Sequence, residues 1–111
     1  MPIFITQGRY TRESVKKMSA NPEDRTATLA QFFEKAGGKL IGWYLTFGEY
    51  DFLCISESKE VGDAAAALLA IAGKNAVADL NTSVALTAAE AKKAFSRAGK
   101  LAPAYRSPGK G

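Results

Sequence analysis

Between Lys39 and Ser56 the chain carries two stretches rich in aromatic and β-branched residues, Lys39-Leu-Ile-Gly-Trp-Tyr-Leu-Thr-Phe47 and Asp51-Phe-Leu-Cys-Ile-Ser56, joined by Gly48-Glu49-Tyr50. Two such runs around a short glycine-containing link form a β-hairpin. What flanks the hairpin limits the fold further. Upstream, Pro2 to Gly8 alternates around Ile3, Phe4, Ile5 and Thr6 and reads as a strand. Thr11 can cap a turn that carries Val15 and Met18. Asn21-Pro22-Glu23-Asp24 then restarts a helix, with Asn21 at the cap and Pro22 at the first helical position. Leu29, Phe32, Phe33 and Ala36 follow the helical period, and Gly37-Gly38 ends it. Residues 11–36 thus form one crossover with a break at Asn21-Pro22.

Downstream, Ser58 is the expected cap of a helix whose apolar face is Val61, Ala64, Ala65, Leu68, Leu69 and Ala72, stopped by Gly73. Ala76 to Leu86 reads as a fourth strand. Thr87-Ala-Ala-Glu90 has the spacing of a capping box, in which the two side chains satisfy each other's free amides. It opens a last helix with Ala91, Ala94, Phe95 and Ala98 turned inward and Gly99 as its stop. The order β-α-β-β-α-β with an extra C-terminal helix is the α+β, ferredoxin-like arrangement, one antiparallel sheet with two helices on one face. The expected organisation is a single domain over residues 1–98 and a flexible basic tail over 99–111.

Two helices cover only one face of such a sheet. Alternation places Ile41, Trp43, Leu45 and Phe47 on one side of the hairpin and Leu40, Gly42, Tyr44 and Thr46 on the other. In the next strand Leu53 and Ile55 oppose Phe52, Cys54 and Ser56. Both faces carry apolar or aromatic side chains, where a solvated face would be cleanly polar. The uncovered face therefore calls for a partner, and a second copy of the chain meets that need most simply. A homodimer with paired sheets, a dimeric α/β barrel, is the expected assembly.

Composition removes most catalytic chemistry. The 111 residues include no histidine and a single cysteine, Cys54. A Ser-His-Asp triad, a Cys-His pair, histidine-ligated haem and the common zinc and copper sites are excluded, and no metal or cofactor is expected. One cysteine forms no internal disulfide, which fits a reducing cytoplasm. No apolar run is long enough for a bilayer crossing, and Met1-Pro-Ile-Phe-Ile-Thr6 lacks the basic start of a signal peptide. The net charge of +4 is concentrated at one end. Residues 92–111 hold six cations and no acid, while residues 1–91 hold nine cations against eleven acids. That distribution reads as a solvated basic tail, since a nucleic-acid arm carries a denser run with interleaved aromatics. Neither a nucleic acid nor a membrane is an expected partner.

The stretch Phe47-Gly48-Glu49-Tyr50-Asp51-Phe52 resembles the hairpin of the GYD-domain family, small bacterial and archaeal proteins named for a Gly-x-Tyr-Asp-like motif. The resemblance extends over Ile5-Thr-Gln-Gly-Arg-Tyr-Thr11, Asn21-Pro-Glu-Asp-Arg25, Gly38-Lys-Leu-Ile-Gly-Trp-Tyr44 and Ala85-Leu-Thr-Ala-Ala-Glu90. It implies a dimeric α/β-barrel type without an established activity. A similar hairpin occurs in the ligand-binding domains of leucine-responsive-type regulators. Barrels of this architecture also include cofactor-free oxygenases and lactone isomerases, and both links are analogy at the level of fold alone.

Within the hairpin, Gly48 supplies a positive φ. Glu49 and Asp51 are two residues apart. On one strand face they would form a carboxylate pair sharing a proton, an acid/base group. The plainer reading has Asp51 capping turn amides and Glu49 in solvent, and short acidic turns favour it. Trp43 and Tyr44 occupy opposite faces of one strand. Tyr44 with Gln7, Arg9 or Tyr10, together with Asp51, could take a small anionic or aromatic ligand; interface packing is the ordinary alternative. Cys54 reads as a small buried apolar residue. Arg25 belongs to a helix start, and Lys16-Lys17 and Lys92-Lys93 are solvated helix faces. Gly37-Gly38 follows a helix instead of opening one, the wrong geometry for a phosphate cradle. The leading expectation is a small-molecule-binding oligomeric module. The alternatives are a cofactor-independent isomerase or oxygenase using Asp51 or Glu49 as base with Tyr44 as donor, and a purely structural or partner-binding oligomer.

Overall fold

The order of elements is β1 (Ile3–Tyr10), α1 (Arg12–Ala20), α2 (Thr26–Lys35), β2 (Gly38–Leu45), β3 (Phe52–Ser58), α3 (Val61–Ala72), β4 (Val77–Ala85) and α4 (Ala88–Leu101), closed by a 3-10 turn at Ala102–Ala104. The structure, a computed structural model, describes residues 1–109. Its four strands make one antiparallel sheet in the order β2-β3-β1-β4. The fold is α+β and ferredoxin-like with an additional C-terminal helix, as the sequence pattern predicts.

The central strands β1 and β3 turn Phe4, Thr6 and Gly8 and Phe52, Cys54, Ser56 and Ser58 toward the helices. Phe33 of α2 and Ala67 of α3 pack with Cys54 there, and Phe32, Ala36, Leu40 and Trp43 close the margin. Gly8 is the point of closest approach. A Cβ at this position would lie 2.7 Å from the Phe52 ring and 2.8 Å from the Leu80 side chain, so only glycine lets the two side chains meet over β1. The Thr6 and Thr82 hydroxyls hydrogen-bond across the sheet at 3.0 Å. No described side chain is fully buried.

Several local expectations need correction. Asn21 is the C-cap of α1, and α2 starts only at Thr26. The Asp24 carboxylate accepts from the Thr26 amide and hydroxyl, a local turn that competes with helix and holds residues 22–25 irregular. Ser58 is strand, not cap: its N–H donates to the Pro2 carbonyl, the ladder continues, and Glu60 precedes α3 without a side-chain cap bond. A bulge in β2 between Leu40 and Gly42 adds one residue, which moves Leu40 to the side of Trp43 and leaves Ile41 half-exposed. Trp43 and Tyr44 nevertheless face opposite ways, as expected.

The largest difference is at the C-terminus. The capping box at Thr87 and Glu90 is present. Yet Ala91 is the only residue of α4 with partial cover, Phe95 is 78 % exposed, and the helix passes through Gly99 to Leu101. Its substantial packing is with the 3-10 turn that follows it. In consequence the molecule is elongated, 62 × 31 × 22 Å, with a radius of gyration of 18.1 Å where a compact chain of this length has about 13 Å. The proposed tail over 99–111 therefore begins inside α4, and residues 110 and 111 lie outside the described residues.

Candidate functional site

On the face away from the helices, registry across all four strands aligns Tyr44, Leu53, Gln7 and Asn81 in one row. The next row is Gly42, Ile55, Ile5 and Ser83. Strand alternation sets this composition, apolar at the central strands and polar or aromatic toward the edges. The Tyr44 ring lies back over Gly42, where an added Cβ would come within 3.3 Å of it. Gln7 and Tyr44 therefore share the open face, with Leu53 between them.

The hairpin link folds over one end of this face. Arg9, two residues beyond Gln7 and on the same side, holds its guanidinium 4.8 Å from the centre of the Tyr50 ring. The same group pairs with Asp79 at 3.1 Å and approaches Glu49 at 4.0 Å. Asn81 donates from Nδ2 to the Tyr50 hydroxyl at 3.0 Å. A register shift between β1 and β4 places Asp79 at φ +53°, a left-handed conformation that aspartate tolerates better than most residues, and so turns its carboxylate toward Arg9. Arg9, Tyr50, Asp79 and Asn81 make a polar corner beside the apolar rows.

Asp51 and Tyr10 do something else. The Asp51 carboxylate accepts the Tyr10 amide at 2.8 Å, the Asp51 amide donates to the Gly8 carbonyl at 2.8 Å, and the Thr46 amide donates to the Asp51 carbonyl at 2.9 Å. The Thr46 hydroxyl donates to the Tyr50 carbonyl. Asp51 thus ties the link to β1 and β2. Gly48 takes φ +155°, the positive value expected of it. The Tyr10 ring packs against Phe52, 5.1 Å between centroids, on the helix side of the sheet. Burial raises the Tyr10 phenol above its ordinary pKa; the Arg25 charge opposes the rise and Asp51 and Cys54 add to it. Glu49 and Asp51 accordingly have different partners, and Tyr10 and Asp51 stand apart from Gln7 and Tyr44.

Cys54 is buried and its thiol is pushed up to about 11 by loss of water. Two hollows among the described residues lie away from the open face. One is bounded by Lys17, Met18, Pro22 and Arg25 and the other runs along the cationic side of α4. Sequence reading had no means of placing Asn81 and Asp79, because the register of β4 is not written in its own residues. Arg9, a candidate from the sequence, shares the period-two face of Gln7.

No helix of the described residues is long and apolar enough to cross a membrane. The fold is similar to the crystal structure of FFRP-DM1, with a TM-score of 0.50 and 19 % identity over 78 % of this chain and 100 % of that one. It is also similar to the crystal structure of TTHA0845 from Thermus thermophilus, with a TM-score of 0.53 and 17 % identity over 79 % of this chain and 96 % of that one. No curated protein sequence matches the chain. The GYD domain matches residues 4–95, which takes in all but the first residue of β1, the other three strands and the hairpin link. The chain belongs to the GYD domain family.

Proposed function

We propose that the protein is an oligomeric binding module whose open sheet face becomes the floor of a small-molecule site when a second copy covers it. The carrying observation is that face itself. Ile5, Leu53 and Ile55 form an apolar centre framed by Gln7, Tyr44 and Asn81, and Arg9 with Tyr50 stands at one end. Apolar floor with a few convergent polar groups is the usual make-up of a ligand site. A flat, mostly apolar molecule carrying one anionic or hydrogen-bonding group fits this arrangement.

Binding is favoured over catalysis because the two candidate carboxylates do not converge as a pair. Asp51 holds a backbone amide and Glu49 lies toward Arg9. Burial supports a second copy. The chain exposes 8357 Å², whereas a compact monomer of 11.8 kDa exposes about 5,900 Å².

Native mass spectrometry of protein released gently from cells tests this in one spectrum. A dimer or larger assembly with retained extra mass is expected. Ile55→Asp should yield bare monomer, while Tyr44→Ala should keep the assembly and lose the extra mass. A wild-type monomer without added mass would sink the proposal.

A further inference from the structure

The helical spacing of α4 sets Ala91, Ala94, Phe95, Ala98 and Leu101 on one side and Lys92, Lys93, Arg97 and Lys100 on the other. Apart from partial cover of Ala91, that apolar side is exposed. A second helix has the matching deficit. Among the twelve residues of α3 the one ionisable group is Asp63, yet only Ala64 and Ala67 are buried. Val61, Ala65, Leu69 and Ala72 form an exposed stripe, with Leu69 73 % exposed. A helix that is apolar all round belongs in an interior.

We propose that α4 is an exchange arm that lays its apolar side on the outer face of α3 in a second copy of this chain. Three observations carry the choice of occupant. The first is area. The exposed surface exceeds that of a compact chain by roughly 2,400 Å², and obligate interfaces begin at about 2,000 Å². The second is charge. Residues 88–111 hold six cations and one acid, whereas residues 1–87 hold nine cations and ten acids, with exposed Glu60 at the start of α3. Arm and body attract, and arm and arm repel. The third is shape. Alanines on both stripes let two helix axes approach closely, with Phe95 and Leu101 projecting from one stripe and Leu69 from the other. The same alanines offer little to an anionic lipid surface, which binds amphipathic helices through bulky apolar groups. The helix α4 begins two residues after β4 and packs substantially only with the 3-10 turn that follows it, so the arm leaves its own body instead of folding back.

The test mixes two full-length variants, Phe95→Cys and Leu69→Cys, and adds a short bismaleimide, whose reach absorbs an offset of about one helical turn, roughly 5.4 Å. A covalent pair joining one variant to the other is expected, in clear excess over either variant joined to itself. The chain carrying both substitutions, linked at sub-micromolar concentration, should give dimer bands. Internal linkage alone would overturn the proposal, because the arm would then lie on its own α3. Absence of linkage together with Phe95-dependent flotation on phosphatidylserine vesicles would overturn it in favour of a lipid surface. Phe95→Asp and Ile55→Asp separate this proposal from the sheet-face reading. If the arm alone is right, Phe95→Asp dissociates the assembly and Ile55→Asp leaves it intact. The reverse result removes the arm and keeps the sheet.

Discussion

Asp51 illustrates how one side chain in the hairpin link can serve architecture. Its carboxylate, amide and carbonyl hold β1 and β2 at the turn, and the Tyr10 amide it accepts is partly buried. A hydrogen bond to a charged group contributes about 1.5–3 kcal/mol, and an amide left without a partner adds its desolvation cost. Asp51→Ala should therefore lower unfolding stability by about 2 kcal/mol in urea titration, with Asp51→Asn, which keeps one acceptor oxygen, intermediate. Equal stability of all three would mean the tie contributes nothing. Cys54 gives a second prediction at this scale. Its thiol is pushed up to about 11, so at pH 8 almost none of it is thiolate, the reactive form. Labelling by a disulfide reagent at pH 8 should be slow in the folded protein and become fast in denaturant. Prompt labelling of the native protein would contradict the burial.

At the scale of elements, α4 separates what local chemistry decides from what it does not. Thr87 and Glu90 make the capping box that their spacing announces, because both partners lie within one turn. Those bonds hold the Glu90 carboxyl below the usual carboxylate range. A depressed folded pKa means that the box stabilises fully above the unfolded value of about 4.3 and loses its effect as pH falls through the folded one. Helicity by circular dichroism should thus be lower in Glu90→Gln than in wild type at pH 7, and the gap should close in strong acid. A gap that persists at pH 2 would place the effect elsewhere. Strand order, hairpin and both crossovers were legible in the same local way, from alternation, helical period and glycine stops. The inward direction assigned to Phe95 was not, since the surface that would cover it is absent from a single chain. Nor was the bulge at Ile41, which changes the faces of Leu40 and Trp43 without any residue signature. The helix start expected at Asn21 is not realised because Asp24 ties up the Thr26 amide and hydroxyl in a local turn, and α2 begins at Thr26.

For the whole molecule, the decisive quantity is how little of it is interior. The buried apolar residues are Phe4, Phe33, Phe52, Cys54, Ala64 and Ala67, a small core for ordering a chain of 111 residues. Phe47 at the hairpin tip is 96 % exposed, Tyr44 on the open face 60 %, and Leu69 and Phe95 lie bare on α3 and α4. These patches occupy different sides of the body, so their cover demands either several partners or one partner that wraps. A second copy with paired sheets and an exchanged α4 supplies both surfaces at once, because each chain carries the arm and the stripe that receives it. Folding and association then become one event, and stability must depend on chain concentration. For a dimer of this length, each tenfold rise in concentration contributes about 1.4 kcal/mol and moves the thermal midpoint up by about 3 °C. Scanning calorimetry between 1 and 100 µM reads that slope directly. A midpoint that stays fixed over those two decades would show that the isolated chain is stable by itself, and that its bare faces are tolerated in water instead of being held for another copy.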